Sequence, residues 1–89
     1  MKCAEVVVVN KLGLHARAAA KFVSLAGEFA AEVSLAREGQ QVNGKSIMGV
    51  MMLAAAKGTR LTICAEGADE ARAVEALTRL VRERFGEAE

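Results

Sequence analysis

Apolar and polar positions along the chain fall into blocks with two different periods. Residues 2–9, KCAEVVVV, are rich in β-branched side chains and have the length of a strand. Gly13, within Asn10–Leu14, interrupts that run. From Ala16 to Ala26 the period changes: Ala19, Phe22, Val23 and Ala26 recur at i, i+3, i+4 and i+7, as one face of a helix would. Gly27 stands where that helix should stop. Glu32–Arg37 alternates, with Val33 and Leu35 on one side; Gly39 marks a turn, and Gln40–Asn43 reads as the returning strand. Ser46 is placed to cap a short helix carrying Ile47, Val50, Met51 and Leu53. After Lys57-Gly58, Arg60–Glu66 alternates again, with Leu61, Ile63 and Ala65 inward. Asp69 reads as the cap of a last helix, with Val74, Leu77, Val81 and Phe85 along one face.

The order β-α-β-β-α-β-α predicts an α+β fold: a small sheet with helices packed on one face and the other face solvated. No proline, repeat or low-complexity segment divides the chain, so residues 1–89 read as one domain.

Composition narrows the function classes. With 53% hydrophobic residues in 89, a core can form without a disulfide or metal as an obligatory staple. Twelve Lys plus Arg against eleven Asp plus Glu leave +1, and there are three Phe but no Trp or Tyr. That balance argues against a nucleic-acid binder, which usually carries a basic excess and stacking aromatics. The VVVV run is too short for a signal-peptide core or a membrane span, so a cytoplasmic protein without membrane insertion is expected. Cys3 and Cys64 lack metal-ligand spacing and, with a single His, do not complete a zinc site. They are expected as reduced thiols on strands, which strand pairing could bring near each other. No cofactor or metal is implied, and nothing in the pattern gives a reason to expect more than a monomer.

Residues 39–46, GQQVNGKS, satisfy the phosphate-loop pattern G-x-x-x-x-G-K-S. The context contradicts the match. Gly39 falls in a hairpin turn, Val42 is a strand residue inside the supposed loop, and the helix after Ser46 is short and contains Gly49. A nucleotide loop should follow a buried parallel strand and run into a substantial helix.

A sharper signal lies in NKLGLHARAAAKFV, residues 10–23, where the only histidine, His15, immediately precedes a helix. First-turn amides there lack intrahelical partners, and the helix dipole favours negative charge. Arg17 adds a fork of donors suited to phosphate oxygens. Leu12-Gly13-Leu14 makes a flexible apolar approach, so the imidazole is expected to be exposed beside a hydrophobic surface. A neutral imidazole can act as a nucleophile without a separate base. These features suit a histidine that accepts a phosphoryl group, and equally a histidine that only caps a helix. Without a second His or a clustered Asp-Glu set, the alternatives are a carrier or a binding module rather than a hydrolase.

Three segments resemble the HPr family of histidine-containing phosphocarriers: GLHARAAAKFV around His15, NGKSIMGVMMLAAAKG around Ser46, and ICAEGADEARAV leading into the last helix. The resemblance covers nearly the whole chain. It implies an open-faced β-sandwich, a four-stranded antiparallel sheet with three helices on one side. It also implies that His15 takes phosphate from phosphorylated enzyme I of the phosphoenolpyruvate-dependent phosphotransferase system. The group would then pass to the A domain of a sugar-specific permease, with Arg17 stabilising the phosphate. The family pattern usually has proline where this chain has Ala18, which leaves room for a specialised branch such as the nitrogen-related system.

Met48, Met51 and Met52 add a second surface, because so short a helix cannot bury all of its apolar residues. Ile47, Met48 and Met51 are expected to be exposed, with Val50 and Leu53 inward. The resemblance implies that this surface, together with Leu14, docks both partners. It further implies Ser46 as the target of a regulatory kinase/phosphorylase in many bacteria. A regulatory binding module of the same fold, working through Ser46 and the methionines, is the alternative to the carrier.

Overall fold

Alternation along Lys2–Val7 points Ala4 and Val6 inward and Cys3, Glu5 and Val7 outward, forming β1 in a computed structural model that describes all 89 residues. The same alternation buries Val33 and Leu35 of β2 (Glu32–Arg37) and Leu61, Ile63 and Ala65 of β4 (Arg60–Glu66). With the short β3 (Gln40–Asn43), these strands form one antiparallel sheet in the order β1-β4-β2-β3. The helices α1 (Ala16–Ala26), α2 (Ile47–Met52) and α3 (Glu70–Arg82) supply the opposing apolar layer. Helix α3 packs on β1 and β4, while α1 packs on α2 and α3. Phe22, Leu35, Val50, Leu61, Ile63, Leu77 and Phe85 are fully sequestered in the shared core. No helix is long and apolar enough to cross a membrane.

The helix and strand periods are borne out, and the open-faced architecture is the one expected. Four details differ. Strand β1 stops at Val7 rather than Val9, although Val8 still exchanges hydrogen bonds with the loop before β4, donating to Thr59 O at 2.9 Å and accepting from Gly58 N at 2.7 Å. Asp69 does not cap α3 with its side chain; its carboxylate accepts from Ala30 N and Ala31 N, each at 2.9 Å, and so ties α3 to the chain ahead of β2. The Ala30 amide is the main cause that holds this carboxyl below its ordinary value. Phe85 is buried, but not as part of α3. The helix ends at Arg82, and positive φ at Arg84 (60°) and Phe85 (55°) turns the chain back so that the ring enters the core.

The fourth difference concerns the cysteines, expected as reduced thiols. The β1/β4 register sets Cys3 opposite Cys64, with Cα atoms 4.1 Å apart, and the two are joined as a disulfide on the solvent side of the sheet. The expectation of reduced thiols is thereby overturned: strand register, which sequence spacing does not record, sets the two side chains face to face.

Candidate functional site

Helix α1 begins where it does because the preceding loop is anchored to the core. Gly13 adopts φ +68°, and a Cβ there would lie 2.6 Å from Ala55 O, so a side chain is excluded. The next residue, Leu14, is 5% exposed and donates its N–H to Ala55 O at 2.8 Å. This corrects the expectation that Leu14 helps dock partners: the turn at Gly13 drives it into the core and leaves Leu12 as the exposed leucine of the loop, at 68%. Asn10, fully buried, closes the loop by donating from Nδ2 to Gly13 O at 2.8 Å.

His15 follows as the N-cap in extended conformation (φ −75°, ψ 178°), and its Nδ1 accepts from Arg17 N at 3.3 Å. The first turn of α1 contains no acidic residue, so the positive end of the helix is uncompensated from within. Arg17 is exposed, and its guanidinium engages no acceptor of the chain. The imidazole is half-buried rather than open, because a residue from the far end of the chain covers its other nitrogen. Oε2 of Glu87 bonds Nε2 of His15. The hydrogen bond from His15 is the main cause that holds the Glu87 carboxyl below the usual carboxylate range, with the Asn10 amide adding to it against partial desolvation.

The result is a shallow depression of about 680 Å³ in which Leu12, His15, Ala16 and Arg17 face Lys11, Glu87 and Glu89. A comparable depression, about 700 Å³, lies around the Glu32 and Glu66 ends of β2 and β4, and contains no histidine. The structure thus brings His15 and Arg17 together as the sequence suggests. Glu87 and Asn10 were missed: nothing in their local spacing marks them, and only the returning tail makes them neighbours of His15.

Ser46 lies outside this depression. Its Oγ accepts from Gly49 N at 3.1 Å as the cap of α2. Lys45 donates from Nζ to Phe29 O at 2.8 Å, so the lysine of the apparent phosphate loop is bound to backbone, and Gln40–Asn43 is strand. At the other end of α2, Arg37 donates to Leu53 O and Ala54 O at 2.8 and 3.0 Å, satisfying terminal carbonyls. Between these ends Val50 and Leu53 face the core, as expected, while Ile47, Met48 and Met51 are exposed. Met52, grouped with Met48 and Met51 as a second surface but not named for contact, also projects outward, at 68% exposure.

Comparison with known proteins gives a consistent picture. Residues 2–83 match the family model described as PTS HPr component phosphorylation site. The chain is 53% identical over 85 residues to the phosphocarrier protein HPr of Cupriavidus necator, covering 96% of each chain. It is 48% identical over 79 residues to the HPr-like protein Crh of Bacillus subtilis, covering 89% of this chain and 93% of that one. Its fold is similar to the crystal structure of HPr-C-His from Thermoanaerobacter tengcongensis, with a TM-score of 0.96 and 42% identity across the whole of both chains.

Proposed function

The chain belongs to the HPr family of phosphocarrier proteins, and on that premise we propose that Nδ1 of His15 accepts a phosphoryl group from phosphorylated enzyme I and passes it to the A domain of sugar-specific permeases. One observation carries this reading: the two ring nitrogens have different partners. Nε2 is occupied by the Glu87 carboxylate, while Nδ1 faces the N-terminal amides of α1. A carboxylate accepts only, so Nε2 carries the proton and Nδ1 keeps its lone pair. That lone pair attacks phosphorus, and the Nδ1–P bond forms as the donor's P–N bond breaks and its electron pair returns to the donor nitrogen.

The phosphoryl oxygens then find first-turn amides that lack intrahelical partners and an uncommitted Arg17 guanidinium. The open depression supplies enough stabilisation for transit without enclosing the group, which a relay requires. Ile47, Met48 and Met51, with Met52, form the adaptable apolar surface suited to docking several partners one at a time. Phosphorylation of Ser46 by a kinase/phosphorylase would set a dianion beside this face and oppose docking. Lys45 would have to release Phe29 O to offset it. A single cytoplasmic copy is the proposed working form.

Incubation with phosphoenolpyruvate and enzyme I tests the reading. Phosphate that is acid-labile and base-stable should map to His15 and vanish in His15→Ala. Uptake in Arg17→Ala should fall by on the order of tenfold or more, as when one charge-stabilising donor is removed. A folded wild-type chain that takes up no phosphate on His15 would overturn it.

A further inference from the structure

Glu87 is 72 residues away from His15 in sequence, yet both of its carboxylate oxygens are committed to the histidine site. Oε2 bonds Nε2 of the ring, and Oε1 accepts from Nδ2 of Asn10 at 3.0 Å. Asn10 is itself immobilised, being fully buried and bonded to Gly13 O through the same amide. The tail that carries Glu87 is fastened on both sides. Before it, Phe85 is buried and its carbonyl accepts from Lys21 Nζ at 2.7 Å. Beyond it, Lys11 donates its backbone N–H to the Glu89 carbonyl and pairs with the Glu89 carboxylate at 3.5 Å. A side chain held through a buried amide and an anchored backbone is preorganised, in the way partners of functional histidines fix tautomer and ring orientation.

We propose that Glu87 is a positioning residue for phosphoryl transfer: its carboxylate holds the proton on Nε2 of His15, aims the Nδ1 lone pair at the α1 N-terminus, and balances the charge that the ring gains on phosphorylation. This rests on the carrier reading above. When Nδ1 bonds phosphorus, the Nε2 proton stays in place and the ring becomes a phosphoimidazolium. The hydrogen bond to Glu87 thereby turns from one between a neutral donor and an anion into one between a cation and an anion, which is stronger. On transfer to the next acceptor, the Nδ1–P electron pair returns to the ring and the neutral imidazole is restored. No proton has to enter or leave His15 in either direction, so both half-reactions run without a separate acid or base.

The experiment uses the full chain with Glu87→Ala and Glu87→Gln. Long-range nitrogen–proton correlation of the His15 ring, in unphosphorylated protein at a pH where the imidazole is neutral, reads the tautomer directly. The Nε2–H form should dominate in the wild type, and the two tautomers should mix in Glu87→Ala. Glu87→Gln keeps an acceptor oxygen but no charge, so the tautomer should be retained. Phosphoryl uptake, driven by phosphoenolpyruvate and enzyme I, should fall about 10- to 100-fold in Glu87→Ala, the range seen when a histidine's orienting partner is lost, and by a smaller factor in Glu87→Gln. Mixed tautomers in the wild type overturn the proposal, as does uptake by Glu87→Ala within about twofold of wild type. A wild-type chain that carries no phosphate on His15 would instead overturn the carrier reading, while the tautomer measurement would still decide whether Glu87 fixes the ring.

Discussion

Breaking the Cys3–Cys64 bond should lower stability while leaving the native structure in place. The bond joins β1, an edge strand paired only with β4, to its neighbour across a sequence separation of 61 residues. Closing a loop of that length removes roughly 14 cal/mol/K from the unfolded chain in the chain-entropy treatment, or about 4 kcal/mol near room temperature. Little native packing is at risk, because Cys3 is exposed and Cys64 half-buried on the uncovered face of the sheet. For a domain of this size each kcal/mol corresponds to about 4–8 °C, so the melting temperature should drop by roughly 15–30 °C. Calorimetry of three forms makes the test: oxidised wild type, wild type with a phosphine reductant, and the double variant Cys3→Ser/Cys64→Ser. The last two should melt together, well below the first. The denaturant m-value should be smaller for the oxidised form, whose unfolded state stays more compact. A thiol count on the folded protein checks the premise; two free thiols before reduction would refute the bond itself. Should the thiols appear only after reduction, with the melting temperature shifted by less than about 3 °C, the entropic argument fails.

Met48→Glu places a charge on the most exposed residue of α2; binding to enzyme I and to permease A domains should weaken at least tenfold, about 1.4 kcal/mol, with the melting temperature nearly unchanged, as titration calorimetry beside thermal melting would show. Asp69 has its carboxyl lowered by backbone donors, so the folded state holds fewer protons on it than the unfolded state. The stability it contributes is therefore present above the ordinary carboxylate value and lost as the pH falls through the lowered one. Asp69→Ala should lower the melting temperature at neutral pH and flatten its decline in acid; parallel melting curves against pH for variant and wild type would exclude the proposed ties to Ala30 and Ala31. Ala18→Pro removes an N–H that donates to no backbone carbonyl, in a helical position whose φ suits proline. Phosphoryl uptake should stay within about twofold of wild type, and a change beyond tenfold would show that rigidity at position 18 sets the rate.

The elements were legible because their periods are imposed by local backbone geometry, and burial then selects the apolar face. Thus Phe22, Leu35, Ile63 and Leu77 were readable as core before any contact was known. The candidate site was half legible for the same reason: His15, Arg17 and the start of α1 lie within three residues of one another. Leu12 and Leu14 show where local reading stops. Both flank Gly13, and which one enters the core depends on the left-handed turn that Gly13 makes against Ala55. Cys3 with Cys64, and Asp69 with Ala30, depend on strand register and helix docking, which no spacing records.

Glu87 is the instructive case, because the signals nearest to it argue against its position. Phe85 extends the apolar stripe of α3, so the pattern reads as a helix continuing through it rather than as a turn that sends the chain toward His15. The chain instead adopts positive φ at Arg84 and Phe85, two residue types that ordinarily avoid it, at a cost on the order of 1–2 kcal/mol each. Complete burial of the Phe85 ring offsets about 2–3 kcal/mol of this. The bonds made by the tail add to this: Lys21 to Phe85 O, Asn10 and His15 to Glu87, and Lys11 to Glu89. The same two left-handed residues thus place the ring of Phe85 in the core and the carboxylate of Glu87 against Nε2 of His15.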